Sequence, residues 1–220
     1  MEKVKTFLAD ISDLLNEKNY QKIYEKVPAF RQEKADRLKH REDQAQSVGA
    51  WYLWMKIQER HKIPQDAGQS FNLSHSGKYV LCSAGVSGER VGCDIECMRK
   101  YHERLAEKYF CSSEYERIRN ADEAERTEMF YRYWVLKESF LKATRKGLVM
   151  GLNTSEIQIP KQGDPVFLRQ PEEIRETNYL KEYQTDGARI AVCSTNPNFD
   201  ENILDMTDIY KREMIVELKD

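Results

Sequence analysis

Val91-Gly92-Cys93-Asp94-Ile95-Glu96-Cys97 decides the fold of this chain, because its residues alternate in character one by one. On a strand, successive side chains point to opposite faces. Val91, Cys93, Ile95 and Cys97 then share an apolar face, and Asp94 and Glu96 share the other. Such a strand packs on a core on one side and presents two carboxylates on the other. Further along, Trp134-Val135-Leu136-Lys137-Glu138-Ser139-Phe140-Leu141-Lys142 reads as a helix with Phe130, Trp134, Glu138 and Leu141 along one side. A carboxylate in an aromatic and aliphatic stripe is costly to bury alone. A divalent cation shared with the strand pair removes that cost. Asp94, Glu96 and Glu138 are therefore candidate ligands for a hard metal ion that works on phosphates. Taken singly, each segment has a plainer reading: solvated carboxylates on an edge strand, or a helix Glu paired with a neighbouring Lys or Arg.

Working outward from the acidic strand, Ser87-Gly88 reads as a hairpin turn joining Lys78–Ala84 to Glu89–Cys97. Before it, Phe71-Asn72-Leu73-Ser74-His75-Ser76-Gly77 reads as a short apolar strand running into a Ser/His/Gly loop. The first third of the chain offers a strand at Val4–Leu8 and helical stretches at Asp13–Lys26, Ala29–Lys39 and Asp43–Glu59, then a polar loop over His61–Ser70. After the acidic strand come helices at Tyr101–Tyr109, Ser113–Asn120 and Ala124–Ala143, Ser112 supplying a cap to the second. The remainder alternates short strands, with Asp186-Gly187 as a hairpin turn, and ends in a strand near Ile203 and a helix over Thr207–Leu218. This order predicts an α+β fold built on antiparallel hairpins.

Composition narrows the function. The 220 residues are 40% hydrophobic and 33% charged, as in ordinary globular proteins. A net charge of −2 argues against a general nucleic-acid binder, so a polyphosphate ligand must meet a local basic patch and a metal. Charges from the second residue onward and the lack of a long apolar run predict no signal peptide and no membrane span, hence a cytoplasmic protein. The five cysteines are odd in number and form no CxxC pair, which predicts small core thiols rather than a zinc site. No G-x-x-x-x-G-K-[ST] loop is present, which counts against the common nucleotide-hydrolase design.

Three segments in this order, Phe71–Ser76, Gly92–Glu96 and Trp134–Lys142, resemble the FNxSHS, G-x-D-x-E and W-x-x-K-E-S-x-x-K segments of the larger, surfactin-synthetase-activating type of 4′-phosphopantetheinyl transferase. The third is the most specific, fixing five positions in nine residues. The resemblance implies two similar fused halves related by a pseudo-twofold, each a small, mostly antiparallel sheet packed with helices. It places the halves at residues 1–88 and 89–220. It implies transfer of the phosphopantetheine arm of coenzyme A to a serine of an apo acyl or peptidyl carrier protein, with Mg²⁺ (or Mn²⁺) on Asp94, Glu96 and Glu138. Lys142, one turn beyond Glu138 on the same helix face, is then a catalytic ammonium on the phosphates, and Lys137, on an adjoining face, either reaches the nucleotide side or is a solvated helix lysine. Glu114, twenty positions after Asp94, is the candidate general base. Arg31, Lys34 and His75 hold the 3′-phosphate, Ser74 donates to a phosphate oxygen, and Ser47 lies near the adenine.

The carrier would dock on an apolar strip including Met98, Tyr101, Leu105, Tyr109 and Phe110. Relatives usually carry Gly-Lys-Pro before the FNxSHS strand; here His61–Gln69 lacks it, with Lys62 as the stand-in. One chain holding both sides of the cleft implies a monomer. Two other readings stand beside this one: a catalytically silent carrier- or nucleotide-binding relative, and a Mg²⁺-dependent nucleotide hydrolase.

Overall fold

Ser74 and Ser76 look like loop residues, yet Phe71–Ser76 is a strand throughout, and the side chains of Asn72, Ser74 and Ser76 explain why. Each accepts a backbone N–H of the acidic strand: Asn72 Oδ1 from Cys93 at 3.1 Å, Ser74 Oγ from Ile95 at 3.4 Å and Ser76 Oγ from Cys97 at 3.1 Å. An edge amide left unpaired in a packed interior is costly, so these polar side chains take the place of a neighbouring backbone ladder. The expectation of a strand ending in a loop is corrected accordingly.

The computed structural model describes residues 3–61, 63, 68, 70–101 and 103–215. In chain order the elements are β1 (Lys5–Asp10), α1 (Glu17–Tyr24), α2 (Ala29–Asp36), α3 (Arg41–His61), β2 (Phe71–Ser76), β3 (Tyr79–Ala84) and β4 (Val91–Cys97). There follow α4 (Glu103–Tyr109), α5 (Ser112–Asn120), α6 (Glu123–Thr144), β5 (Glu156–Gln158), β6 (Val166–Arg169), β7 (Tyr179–Thr185), β8 (Ala188–Ser194), β9 (Leu204–Asp205) and α7 (Asp208–Ile215).

The two halves repeat one plan. In the first, β3 lies between β2 and β1, antiparallel to both, and α3 packs on the sheet. In the second, β8 lies between β7 and β4, antiparallel to both, and α6 packs on that sheet. In each half the first strand precedes the helices and the other two follow them, the last joined by a hairpin. The sheets face each other across an apolar layer of Tyr79 and Leu81 from β3, Val91, Cys93 and Ile95 from β4, and Ala188, Ile190 and Val192 from β8. The order is therefore helix, sheet, sheet, helix. The apolar face read for the acidic strand is the one that fills this central layer.

Three local expectations change. Ser87-Gly88 is not a hairpin turn: β3 pairs with β1 and β2, and β4 pairs with β8, so the turn carries the chain from one sheet to the other. The hairpin of the first half is instead β2–β3, closed at Gly77, whose φ of 53° suits a residue without a Cβ. A cut at residue 88 also misplaces the end of the chain. β9 pairs in parallel with β1, and Met206, Ile209 and Tyr210 bury in the first core beneath α3. The 3₁₀ turn Ser12–Leu15 delays α1 to Glu17, where Asn16 caps the helix by accepting from the Lys18 and Asn19 amides. Asp186-Gly187 closes β7–β8 as expected, with Gly187 at φ 67°. Residues beyond 215 at the end of the expected last helix, and Lys62, lie outside the described residues. Among the described residues no helix is long and apolar enough to cross a membrane.

Candidate active site

The alternation of β2 builds two neighbouring sites, one on each of its faces. Its even residues face β4. Ser74 Oγ donates to Asp94 Oδ1 at 2.9 Å, and Ser76 Oγ donates to Glu96 Oε2 at 2.9 Å. Its odd residues Phe71, Leu73 and His75, together with Asn72, line a cleft against α2 and α3.

At the acidic site, Gly92 sets the distance between α6 and β4. A Cβ there would collide with the Ser139 carbonyl and the Ala143 backbone, so only glycine lets the helix lie this close. That approach brings Lys142 onto Asp94. The ammonium donates to Asp94 Oδ1 at 2.6 Å and to Ser74 Oγ at 3.0 Å. Asp94 is 4% exposed, and its second oxygen, Oδ2, is buried with no partner. Glu96 follows two residues along the same face. Burial, then the charges of Asp94 and Glu138, push its carboxyl up to about 6. Burial and Asp94 likewise raise Glu138. Burial alone would lower Lys142, but Asp94, Cys93 and Glu138 outweigh it and raise its pKa. Carboxylates that burden one another, with a buried oxygen left unpaired, are the electrostatic condition a divalent cation relieves. Among the described residues no three acidic, His or Cys side chains already converge as a metal cage. Lys142 occupies one oxygen of Asp94 instead. The donor set of oxygens suits Mg²⁺ or Mn²⁺ and does not suit zinc.

The cleft on the other face of β2 has a volume of about 510 Å³ and gathers Arg31, Lys34, Ser47 and His75, all expected from the sequence. Arg31 and Lys34 come from α2, Ser47 from α3. The Arg31 guanidinium lies over the Trp51 ring, 3.9 Å from its centre, and Phe30 meets the same ring edge-on. Three polar atoms buried in this wall lack a partner: Arg31 Nε, Ser47 Oγ and Trp51 Nε1. Neither Arg31 nor Lys34 has a carboxylate within ion-pair reach among the described residues, although Asp43 also lines the cleft. His75 is open to the cleft, but its walls crowd it. Desolvation, then Lys142 and Lys34, hold its pKa below the usual imidazole value.

Ser74, expected to donate to a phosphate oxygen, faces the acidic site, because it stands one residue out of phase with His75. Glu114 and Lys137 join neither site. Glu114 is 1% exposed and Lys137 0%. They form an ion pair of 2.8 Å. Glu114 also accepts from the Cys111 amide at 2.9 Å and the Ile157 amide at 2.8 Å. Lys137 also donates to the carbonyls of Leu152 at 2.9 Å and Ser155 at 2.6 Å. A base must reach its proton and a phosphate ligand its phosphate; both groups are enclosed and fully bonded. The helix-start signal near Ser112 was the clue to this, since Cys111 is the N-cap and Glu114 its N3 partner. In the apolar strip proposed for a carrier, Phe110 is core, whereas Leu105 is exposed.

Trp51 and Arg145 were missed. Each follows a chosen residue at helical spacing, Trp51 four after Ser47 and Arg145 three after Lys142.

A sequence profile described as the 4′-phosphopantetheinyl transferase superfamily matches residues 90–193, the stretch from β4 to β8. The 4′-phosphopantetheinyl transferase Sfp of Bacillus subtilis is 34% identical over 142 residues, which is 64% of this chain and 62% of that one. The chain thus aligns with somewhat under two thirds of that relative. A second Bacillus subtilis protein, the 4′-phosphopantetheinyl transferase ffp, is 28% identical over 86% of this chain and 91% of its own length. Among solved structures, the holo-[acyl-carrier-protein] synthase of Thermotoga maritima is 22% identical with a TM-score of 0.41, covering 47% of this chain and 61% of that one.

Proposed function

We propose that this chain, similar to 4′-phosphopantetheinyl transferases, moves the 4′-phosphopantetheine arm of coenzyme A onto a serine of an apo acyl or peptidyl carrier protein. The serine oxygen forms a bond to the phosphorus nearer the pantetheine. The bond from that phosphorus to the bridging oxygen breaks, 3′,5′-ADP leaves, and the serine proton is given up to solvent. The observation that carries this reading is the pairing of two sites across one strand: a cationic cleft on one face of β2 and an acidic, under-bonded cluster on the other.

Arg31, Lys34 and His75 meet the 3′-phosphate in the cleft, and Ser47 offers an unpaired hydroxyl beside them. Lys142, one helical turn from Glu138, holds a positive charge where the diphosphate must lie, and Ser74 fixes its direction. Asp94, Glu96 and Glu138 would hold Mg²⁺. The ion, when bound, neutralises diphosphate charge and orients the phosphorus for in-line attack. In this reading Glu114, enclosed by Lys137 and by the Cys111 and Ile157 amides, serves the fold and is not assigned the serine proton. Both sites come from a single chain, so we propose a monomer. All five cysteines are unbridged, which suits a reducing cytoplasm.

The test is to incubate the protein with coenzyme A, Mg²⁺ and several apo carriers and to weigh the carriers. A gain of one phosphopantetheine arm supports transfer. Free nucleotide with unmodified carriers makes the protein a hydrolase, and neither product makes it a silent relative. Mixing an Arg31→Ala, Lys34→Ala variant with a Glu138→Ala variant should restore nothing if one chain is self-sufficient.

A further inference from the structure

Arg145 is the single non-glycine residue with positive φ among the described residues, at φ 58° and ψ 15°, where α6 ends. Glycine takes this left-handed cap without steric cost, whereas a side chain with a Cβ meets resistance. The arginine therefore stands where its backbone is not at ease. Its side chain leaves the second half of the molecule and reaches the first, donating from Nη2 to the Phe71 carbonyl at 2.8 Å. That carbonyl is neutral, and Arg145 has no carboxylate within ion-pair reach among the described residues. It also lines the cleft that holds Arg31, Lys34 and His75, to which every other lining residue comes from the first half. The same cleft wall contains the Ser47 hydroxyl, 7% exposed and without a partner. Arg31, Lys34 and Arg145 outnumber Asp43, the acidic residue of this lining, and none of them ion-pairs with it; cations in excess around unpaired buried polar atoms mark a place that an anion fills.

We propose that Arg145 is a further binding residue for the 3′-phosphate of the coenzyme, supplied across the junction by the catalytic helix. This rests on the reading of the cleft as the coenzyme site. Its tether to Phe71 holds the guanidinium at the rim beside His75's strand. Glu138 and Lys142 lie one turn apart on α6, and Arg145 caps the end of that helix three residues further on. The helix and its cap so connect the reacting diphosphate with the 3′-phosphate. The arrangement favours a nucleotide that carries both groups over one that carries only the 5′-phosphate.

The experiment is calorimetric titration of 3′,5′-ADP and, separately, 5′-AMP into the wild-type protein and Arg145→Gly, with melting curves of both proteins. Arg145→Asn serves as a second variant, since asparagine also tolerates the left-handed cap. Loss of one charge-assisted contact should weaken 3′,5′-ADP roughly tenfold or more. Binding of 5′-AMP should change less than about twofold, and Arg145→Gly should melt no lower than wild type and by about 2–4 °C higher if the cap strain is relieved. Unchanged 3′,5′-ADP binding in both variants overturns the assignment, and so does an equal loss for the two nucleotides. If wild type itself shows no preference for 3′,5′-ADP over 5′-AMP, the coenzyme reading fails and takes this assignment with it. That result is read from the wild-type titrations alone.

Discussion

The helix α6 carries two lysine–carboxylate pairs five residues apart, and they have opposite characters. Lys137 and Glu114 are 0% and 1% exposed, and every hydrogen-bonding position of the ammonium and both carboxylate oxygens are in use. Lys142 and Asp94 have side chains 29% and 5% exposed, and one oxygen of Asp94 has no partner at all. The closed pair ties α5 and the segment before β5 to the helix. The open pair leaves bonding capacity facing the junction of the two halves. In sequence the lysines look alike, and only the count of satisfied bonds tells the scaffold from the chemistry.

The comparison breaks first at the open pair. Asp94→Ala should reduce transfer by about a thousandfold or more, since it removes both a cation ligand and the partner of Lys142. Initial rates of carrier modification at saturating Mg²⁺ measure this, and survival of more than a few per cent of the rate would undo the assignment. EDTA should stop the wild-type enzyme, and Mg²⁺ or Mn²⁺ should restore it. At the closed pair, Glu114→Ala should cost about 3–5 kcal/mol of stability, because it leaves a buried ammonium unpaired. Urea unfolding reads that loss, and exchanging both partners, as in Glu114→Leu with Lys137→Met, should return part of it.

A smaller effect belongs to the cleft. Arg31→Ala and Lys34→Ala should each weaken coenzyme A by about tenfold while changing dephospho-coenzyme A little. Competition binding with the two compounds separates the outcomes, and equal losses would move these residues elsewhere. The smallest effect is one of pH. In the free protein, burial and then Lys142 and Lys34 hold the pKa of His75 below the usual imidazole value. A bound phosphate favours the imidazolium and raises that pKa. Preference for coenzyme A over its dephospho form should therefore grow as pH falls from about 8 to 6, and fade as pH rises. His75→Ala should flatten the slope; an unchanged slope would remove His75 from the contact.

Much of this was legible because the signals were local. β4 declares itself by strict alternation, and the Gly92-x-Asp94-x-Glu96 spacing holds the carboxylates on the face that α6 must approach. Arg31, Lys34, Ser47 and His75 could be gathered only through the resemblance, since they come from three separate elements. What failed were readings whose partners lie far along the chain. Ser74 and Ser76 resemble loop residues until β4 is placed beside them. Ser87-Gly88 has hairpin chemistry, but Tyr79 and Leu81 face Val91 and Ile95 across a layer between two sheets. Met206, Ile209 and Tyr210 fit any amphipathic helix, and nothing nearby says that they return to the first core. The resemblance makes Glu114 a candidate base, whereas its capping bond to Cys111 and its ion pair with Lys137 tie it into the fold.

The central claim is that the open pair does the chemistry and the closed pair holds the fold. A rapid-quench single-turnover experiment on Glu114→Gln and Asp94→Asn, each saturated with coenzyme A, Mg²⁺ and an apo carrier, tests it most directly. The account predicts that folded Glu114→Gln transfers the arm at close to the wild-type rate while unfolding at lower urea, and that Asp94→Asn is slower by about a thousandfold. A Glu114→Gln protein of wild-type stability that is as slow as Asp94→Asn would contradict it.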